Sequence, residues 1–163
     1  MLAAGTAPRW ATAWAVLLVV VQAWHALVVA LLPATLPGGS AAWLGVPFQG
    51  YTARFAPYAD GGNGFLLATT LLDVLEIALV TVGLVLVRRG NPRGSVLAAV
   101  GLFLYAYKVV VVVAIEVASG FPALPGVPAA EVLAWYLLPQ LGMAAVSVAA
   151  GVAFVRHAPG RLP

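Results

Sequence analysis

Residues 95–117 read SVLAAVGLFLYAYKVVVVVAIEV, and this stretch decides the fold. As a helix, its 23 residues would extend about 35 Å, enough to cross a hydrocarbon core of about 30 Å. The run contains no proline and a single glycine, Gly101. It also contains Lys108, placed directly before five valines from Val109 to Val113. Lys108 is the only lysine in the chain. An unpaired ammonium in hydrocarbon costs several kcal/mol, so Lys108 needs either a partner or a function.

The rest of the chain has the same character. It has 163 residues, 63% hydrophobic and 8% charged, with a mean hydropathy of +1.04. Soluble domains carry about 25% charged residues. Such a chain could not cover a water-facing surface, and it reads as an integral membrane protein. Its length suits one small bundle without a separate soluble domain. It has no cysteine, which excludes disulfides, thiolate metal sites and thiol nucleophiles. Seven arginines to one lysine, with abundant alanine and valine, suggest a GC-rich bacterial genome and hence a bacterial cytoplasmic membrane.

Three further apolar segments match the first in length, giving helices over about 11–32, 64–87, 95–117 and 132–155. Pro33 and Pro37 close the first, and Asn63 is placed to cap the second. Arg88-Arg-Gly-Asn-Pro92-Arg-Gly separates the second from the third, with Ser95 as the expected N-cap. Pro122, Pro125 and Pro128 fill the last connection, and Glu131 favours the start of the fourth helix. Pro139, inside the fourth segment, predicts a broken ladder that frees the carbonyl of Trp135. The first segment is longer than a signal-peptide core and lacks a small-x-small cleavage site at the usual distance, so it reads as an uncleaved span.

Arginine placement sets the expected topology. Threading four spans puts Arg9, Arg88, Arg89, Arg93, Arg156 and Arg161 on one side and only Arg54 on the other. That bias places both termini in the cytoplasm. The connection from Pro33 to Asn63 then lies outside, and it carries Trp43, Phe48, Tyr51, Phe55 and Tyr58. Tyr51, Phe55 and Tyr58 have the spacing of a short interfacial helix. The sequence thus predicts an all-α fold: an integral membrane four-helix bundle, with cytoplasmic termini and a long aromatic outer loop between helices 1 and 2. Residues 1–163 form a single transmembrane domain in this reading.

The buried polar residues fall at similar depths. His25, Gln22, Asp73, Glu76, Lys108 and Gln140 all lie roughly 10 to 18 Å below the outer surface of the hydrocarbon. Gln22 and His25, Asp73 and Glu76, and Tyr105 and Lys108 are each three residues apart, so each pair shares a helix face. Thr69 extends the stripe of helix 2, and Tyr136, Gln140, Met143 and Ser147 align on helix 4. The expected ion pair joins Asp73 to Lys108. Glu76, the deeper carboxylate, is then left to share a proton, pair with His25, bind an exogenous cation or reach water.

These residues point to a non-enzymatic role: binding, with or without translocation, of a small polar or amphipathic ligand. The candidate ligand-binding residues are Asp73, Glu76, Lys108, His25, Gln22, Tyr105, Gln140 and Tyr136. One alternative is a membrane enzyme, isomerase- or cyclase-like, acting on a lipid or isoprenoid with Glu76 and His25 as acid and base. Another is a structural accessory subunit whose charges fix helix register. No cofactor is expected, and no metal, because Lys108 disfavours a cation beside it. No phosphate loop, dinucleotide fingerprint or H-E-x-x-H is present, and no basic patch suggests nucleic acid. The expected partners are the lipid bilayer, a small-molecule or lipid ligand, and further copies or subunits of a membrane complex. In length and span number the chain resembles the broad group of small bacterial four-helix membrane proteins. Small multidrug transporters share four helices and an intramembrane glutamate, but carry it in the first helix, where this chain has Gln22 and His25.

Overall fold

The computed structural model describes residues 7–31, 40, 64–118, 134 and 137–158. Among these residues the chain is all-helical, with four helices: α1 Arg9–Ala30, α2 Gly64–Arg88, α3 Arg93–Ala118 and α4 Leu138–Arg156. All four are long and apolar enough to cross a membrane. The expected first three spans agree with these bounds to within two residues. The expected outer loop and its five aromatic residues lie outside the described residues, as do Asn63, Glu131, Trp135 and Arg161.

The connection between α2 and α3 is a tight turn. Gly90 has φ +74°, a left-handed conformation that costs glycine little. Its amide donates to the carbonyl of Val87, and the next amide, of Asn91, donates to Leu86. This paired closure satisfies carbonyls that the end of α2 leaves over. The cap of α3 differs from expectation. The Asn91 side-chain oxygen accepts from the Arg93 amide at 3.0 Å, so Asn91 rather than Ser95 begins the helix. Ser95 is instead buried within α3. Pro139 follows π-helical turns at residues 134 and 137, and Leu137 already has helical dihedrals, so the ladder departs from α-helical geometry just before α4 as described begins.

The helices divide into two compact units, residues 1–19 with 75–163, and residues 20–74. In the first unit, small residues set the packing. Ala11, Ala15, Ala98, Ala99, Ala106, Ala144, Ala150 and Ala153 are buried, with Leu18, Leu102 and Phe154 as the bulky members. Gly83 lies against the backbone of Ala98, and a Cβ on Gly101 would come within 2.6 Å of the Val80 side chain. A Cβ on Gly151 would come within 2.7 Å of the Phe103 ring. Between apolar helices in lipid, close approach over small residues supplies the van der Waals contact that holds them together. One polar link joins α1 to α4: the Trp14 indole N–H donates to Ser147 Oγ at 2.9 Å. Valines and leucines such as Val82, Val100, Val110 and Val148 face outward, as a lipid-facing surface requires.

Candidate intramembrane polar site

In the first unit the lysine meets its partner. Lys108 Nζ donates to Glu76 Oε2 at 2.8 Å, and the two residues are only 8% and 1% exposed. The expectation joined Lys108 to Asp73, and the contact shown within this unit is with Glu76. It is made possible by the lean of helical side chains toward their own N-terminus. α2 and α3 run antiparallel on either side of the Gly90 turn. Glu76 lies 12 residues before Arg88, and Lys108 lies 15 residues beyond Arg93. Their Cα atoms are thus offset by about 4 to 5 Å along the axis. Lys108 leans back toward the turn and Glu76 leans away from it, and the two leans close the offset.

The surroundings of the pair are partly polar. The Lys108 ammonium sits 5.2 Å from the centroid of the Tyr105 ring, within the range of a cation–π contact. Tyr105 and Lys108 are one turn apart on α3, as their spacing predicts. The Tyr105 hydroxyl donates to Gln140 Oε1 of α4 at 3.3 Å, a long hydrogen bond. Three helices of this unit therefore contribute to one polar group: Glu76 from α2, Tyr105 and Lys108 from α3, and Gln140 from α4. At 4 Å and an effective dielectric near 20, such an ion pair gains about 4 kcal/mol of Coulomb attraction, against which stands the desolvation of both groups.

The second unit holds a different pair. His25 Nδ1 lies 2.9 Å from Asp73 Oδ2. Asp73 is fully buried, whereas the His25 side chain is 22% exposed. A carboxylate on Nδ1 fixes the ring orientation, the arrangement by which a histidine is held for proton transfer or ligand contact at its other nitrogen. Gln22, one turn before His25 on α1, is buried as well. Thr69, expected to extend the α2 stripe, is half-buried one turn before Asp73.

Each of these two buried carboxylates contacts a basic side chain, Lys108 for Glu76 and His25 for Asp73. The imidazole is charged only if protonated. Of the other candidates, Tyr136 lies outside the described residues. The Trp14–Ser147 link was not anticipated. Its signal was nevertheless present, because an indole N–H inside an apolar span requires an acceptor, and Ser147 lies on the polar stripe of α4. Among the described residues, no group of three His, Asp or Glu side chains is arranged to hold a metal ion. No protein-family model matches the chain, and neither a curated protein nor a solved structure matches it.

Proposed function

We propose that this is a multi-pass protein of a bacterial cytoplasmic membrane that binds a small polar or amphipathic ligand at the Lys108–Glu76 group. One observation carries the reading: an ion pair at 2.8 Å, almost fully buried, among helices otherwise packed on alanine and glycine. Helix register alone does not call for it, because a well-packed apolar pair of similar volume does the same without desolvating two charges. Ionisable groups within membrane spans characteristically mark ligand or ion sites. Here the ammonium offers a site for an anionic or acceptor group, the carboxylate offers one for a donor, and Tyr105 and Gln140 supply directional hydrogen bonds.

The test is the neutral double variant Lys108→Met with Glu76→Gln, which removes both charges together and leaves none unpaired. Organic extracts of the purified wild type and variant are compared by mass spectrometry. A polar or amphipathic component retained by the wild type in stoichiometric amount and lost from the folded variant supports the proposal. Identical extracts would sink it.

A second reading is favoured by the His25–Asp73 geometry. A carboxylate-oriented imidazole is suited to general acid–base chemistry on a lipid or isoprenoid substrate. Under this reading His25→Gln abolishes turnover of such a substrate, while the Lys108→Met, Glu76→Gln variant retains it.

A further inference from the structure

The arginines of the first unit gather at one of its ends. Arg88 closes α2, Arg89 lies in the turn, Arg93 opens α3 and Arg156 closes α4, and all four are exposed. The turn fixes three of them within six residues of chain. The fourth is placed by contacts between α3 and α4. Gly151 packs on Phe103, while Gln140 meets Tyr105, so the two helices run antiparallel. Arg156 lies five residues beyond Gly151 and Arg93 ten residues before Phe103. These correspond to about 8 and 15 Å along the helices, toward the same end. Arg9, at the start of α1 and also exposed, precedes by five residues the Trp14 that bonds to α4.

None of these guanidinium groups is engaged within the described part of the protein. Lys108 pairs with Glu76 and His25 with Asp73, and neither pair includes an arginine. The described carboxylate nearest in sequence to Arg88 is Glu76, 12 residues away, or about 18 Å along α2. Positive charge alone would serve topology, and lysine would supply it equally well. Guanidinium adds a planar fork that binds phosphate oxygens two at a time. Three such forks are carried on a turn whose backbone is locked by the Gly90 closure and the Asn91 cap, so little ordering is needed on binding.

We infer that Arg88, Arg89, Arg93 and Arg156 form a guanidinium platform that grips the phosphates of anionic phospholipid headgroups at this end of the protein. Charge complementarity selects the occupant: a surface with four cations that pair with no carboxylate among the described residues, beside apolar helices, fits a molecule with an anionic phosphate and two acyl chains. The inference is independent of the ligand proposed for Lys108 and Glu76.

Native mass spectrometry of the full chain, titrated in parallel with phosphatidylglycerol and phosphatidylcholine of the same acyl chains, tests it. The wild type retains phosphatidylglycerol preferentially. Replacing Arg88, Arg89 and Arg93 by Gln weakens that retention about a hundredfold, on the basis of about 1 kcal/mol per basic residue near an anionic surface. If that variant misinserts, the triple Arg→Lys variant still decides the matter, because it keeps the charge that orients the chain. It loses the forks, and retention falls about tenfold. Equal binding of the two lipids overturns the inference, as does undiminished retention by the Lys variant. Equal thermal protection by inorganic phosphate alone overturns the assignment to lipid.

Discussion

The two buried pairs use the same carboxylate chemistry against different bases, and the contrast locates what each can do. Lys108–Glu76 joins an ammonium to a carboxylate with both residues almost sealed from solvent. His25–Asp73 joins a sealed carboxylate to a ring that is partly exposed and charged only on protonation. The first is suited to holding fixed positive and negative groups at a set separation. In the second, the carboxylate at Nδ1 holds the ring. The two carboxylates lie three residues apart in α2, Asp73 and Glu76.

The largest effect expected is therefore at the lysine pair. Lys108→Met or Glu76→Gln alone breaks a buried ion pair and should destabilise the protein by about 3 to 5 kcal/mol. The double variant should recover most of that loss. Unfolding of all three in detergent micelles checks the cycle. If the single and double variants lose the same amount, the two residues are not coupled and the contrast between the pairs collapses. At the histidine pair the expected loss is smaller. His25→Phe should cost about 1 to 3 kcal/mol, the range for losing a hydrogen bond to a buried polar group. Asp73→Asn, which keeps a hydrogen-bonding group at the same place, should cost less than His25→Phe in the same assay. The reverse order would mean that charge rather than hydrogen bonding holds the pair.

How much of this was legible in the sequence depends on the length scale. The four spans could be read directly, because a run of about 20 apolar residues has few alternatives. The membership of the polar group was also readable for Glu76, Tyr105, Lys108 and Gln140, because the three- and four-residue spacing of a helix assigns faces. The Lys108–Glu76 contact was not readable from depth alone. Axial position favoured Asp73 for Lys108, since each lies 15 residues from the arginine that bounds its helix. The contact with Glu76 needs the side-chain lean as well, a shift of about one turn. Ser95 failed as a cap for a similar reason. The Gly90 closure delivers the chain so that the Asn91 side chain reaches the Arg93 amide first, and α3 begins two residues earlier than the sequence suggested. Pro139 read as a break in the ladder of the fourth helix, and the residues described just before it, 134 and 137, are π-helical, with the regular α4 beginning at Leu138.

The glycines offer the next contrast. Gly83→Ala should cost about 1 to 3 kcal/mol, because the new methyl meets the backbone of Ala98, which cannot give way as a side-chain tip would. Gly142→Ala should be neutral or slightly stabilising, because no described atom lies within 4 Å of the new Cβ and alanine favours the helix. Similar melting temperatures for these two variants would show that α2 and α3 do not approach as closely as described.

The smallest effect belongs to the Trp14–Ser147 link. Hydrogen bonds between membrane helices contribute about 0.6 kcal/mol on average. Ser147→Ala removes the acceptor but leaves the methylene packing intact, so its cost should be near that figure. Trp14→Phe removes the donor and also trims a large ring that packs on the alanine core, so it should cost more. The double variant isolates the bond itself. A coupling well above 1 kcal/mol would make this link comparable to the histidine pair. It would then anchor α1 to α4 at the arginine end, and the Lys108–Glu76 group would no longer be the principal polar determinant of how this unit is held together.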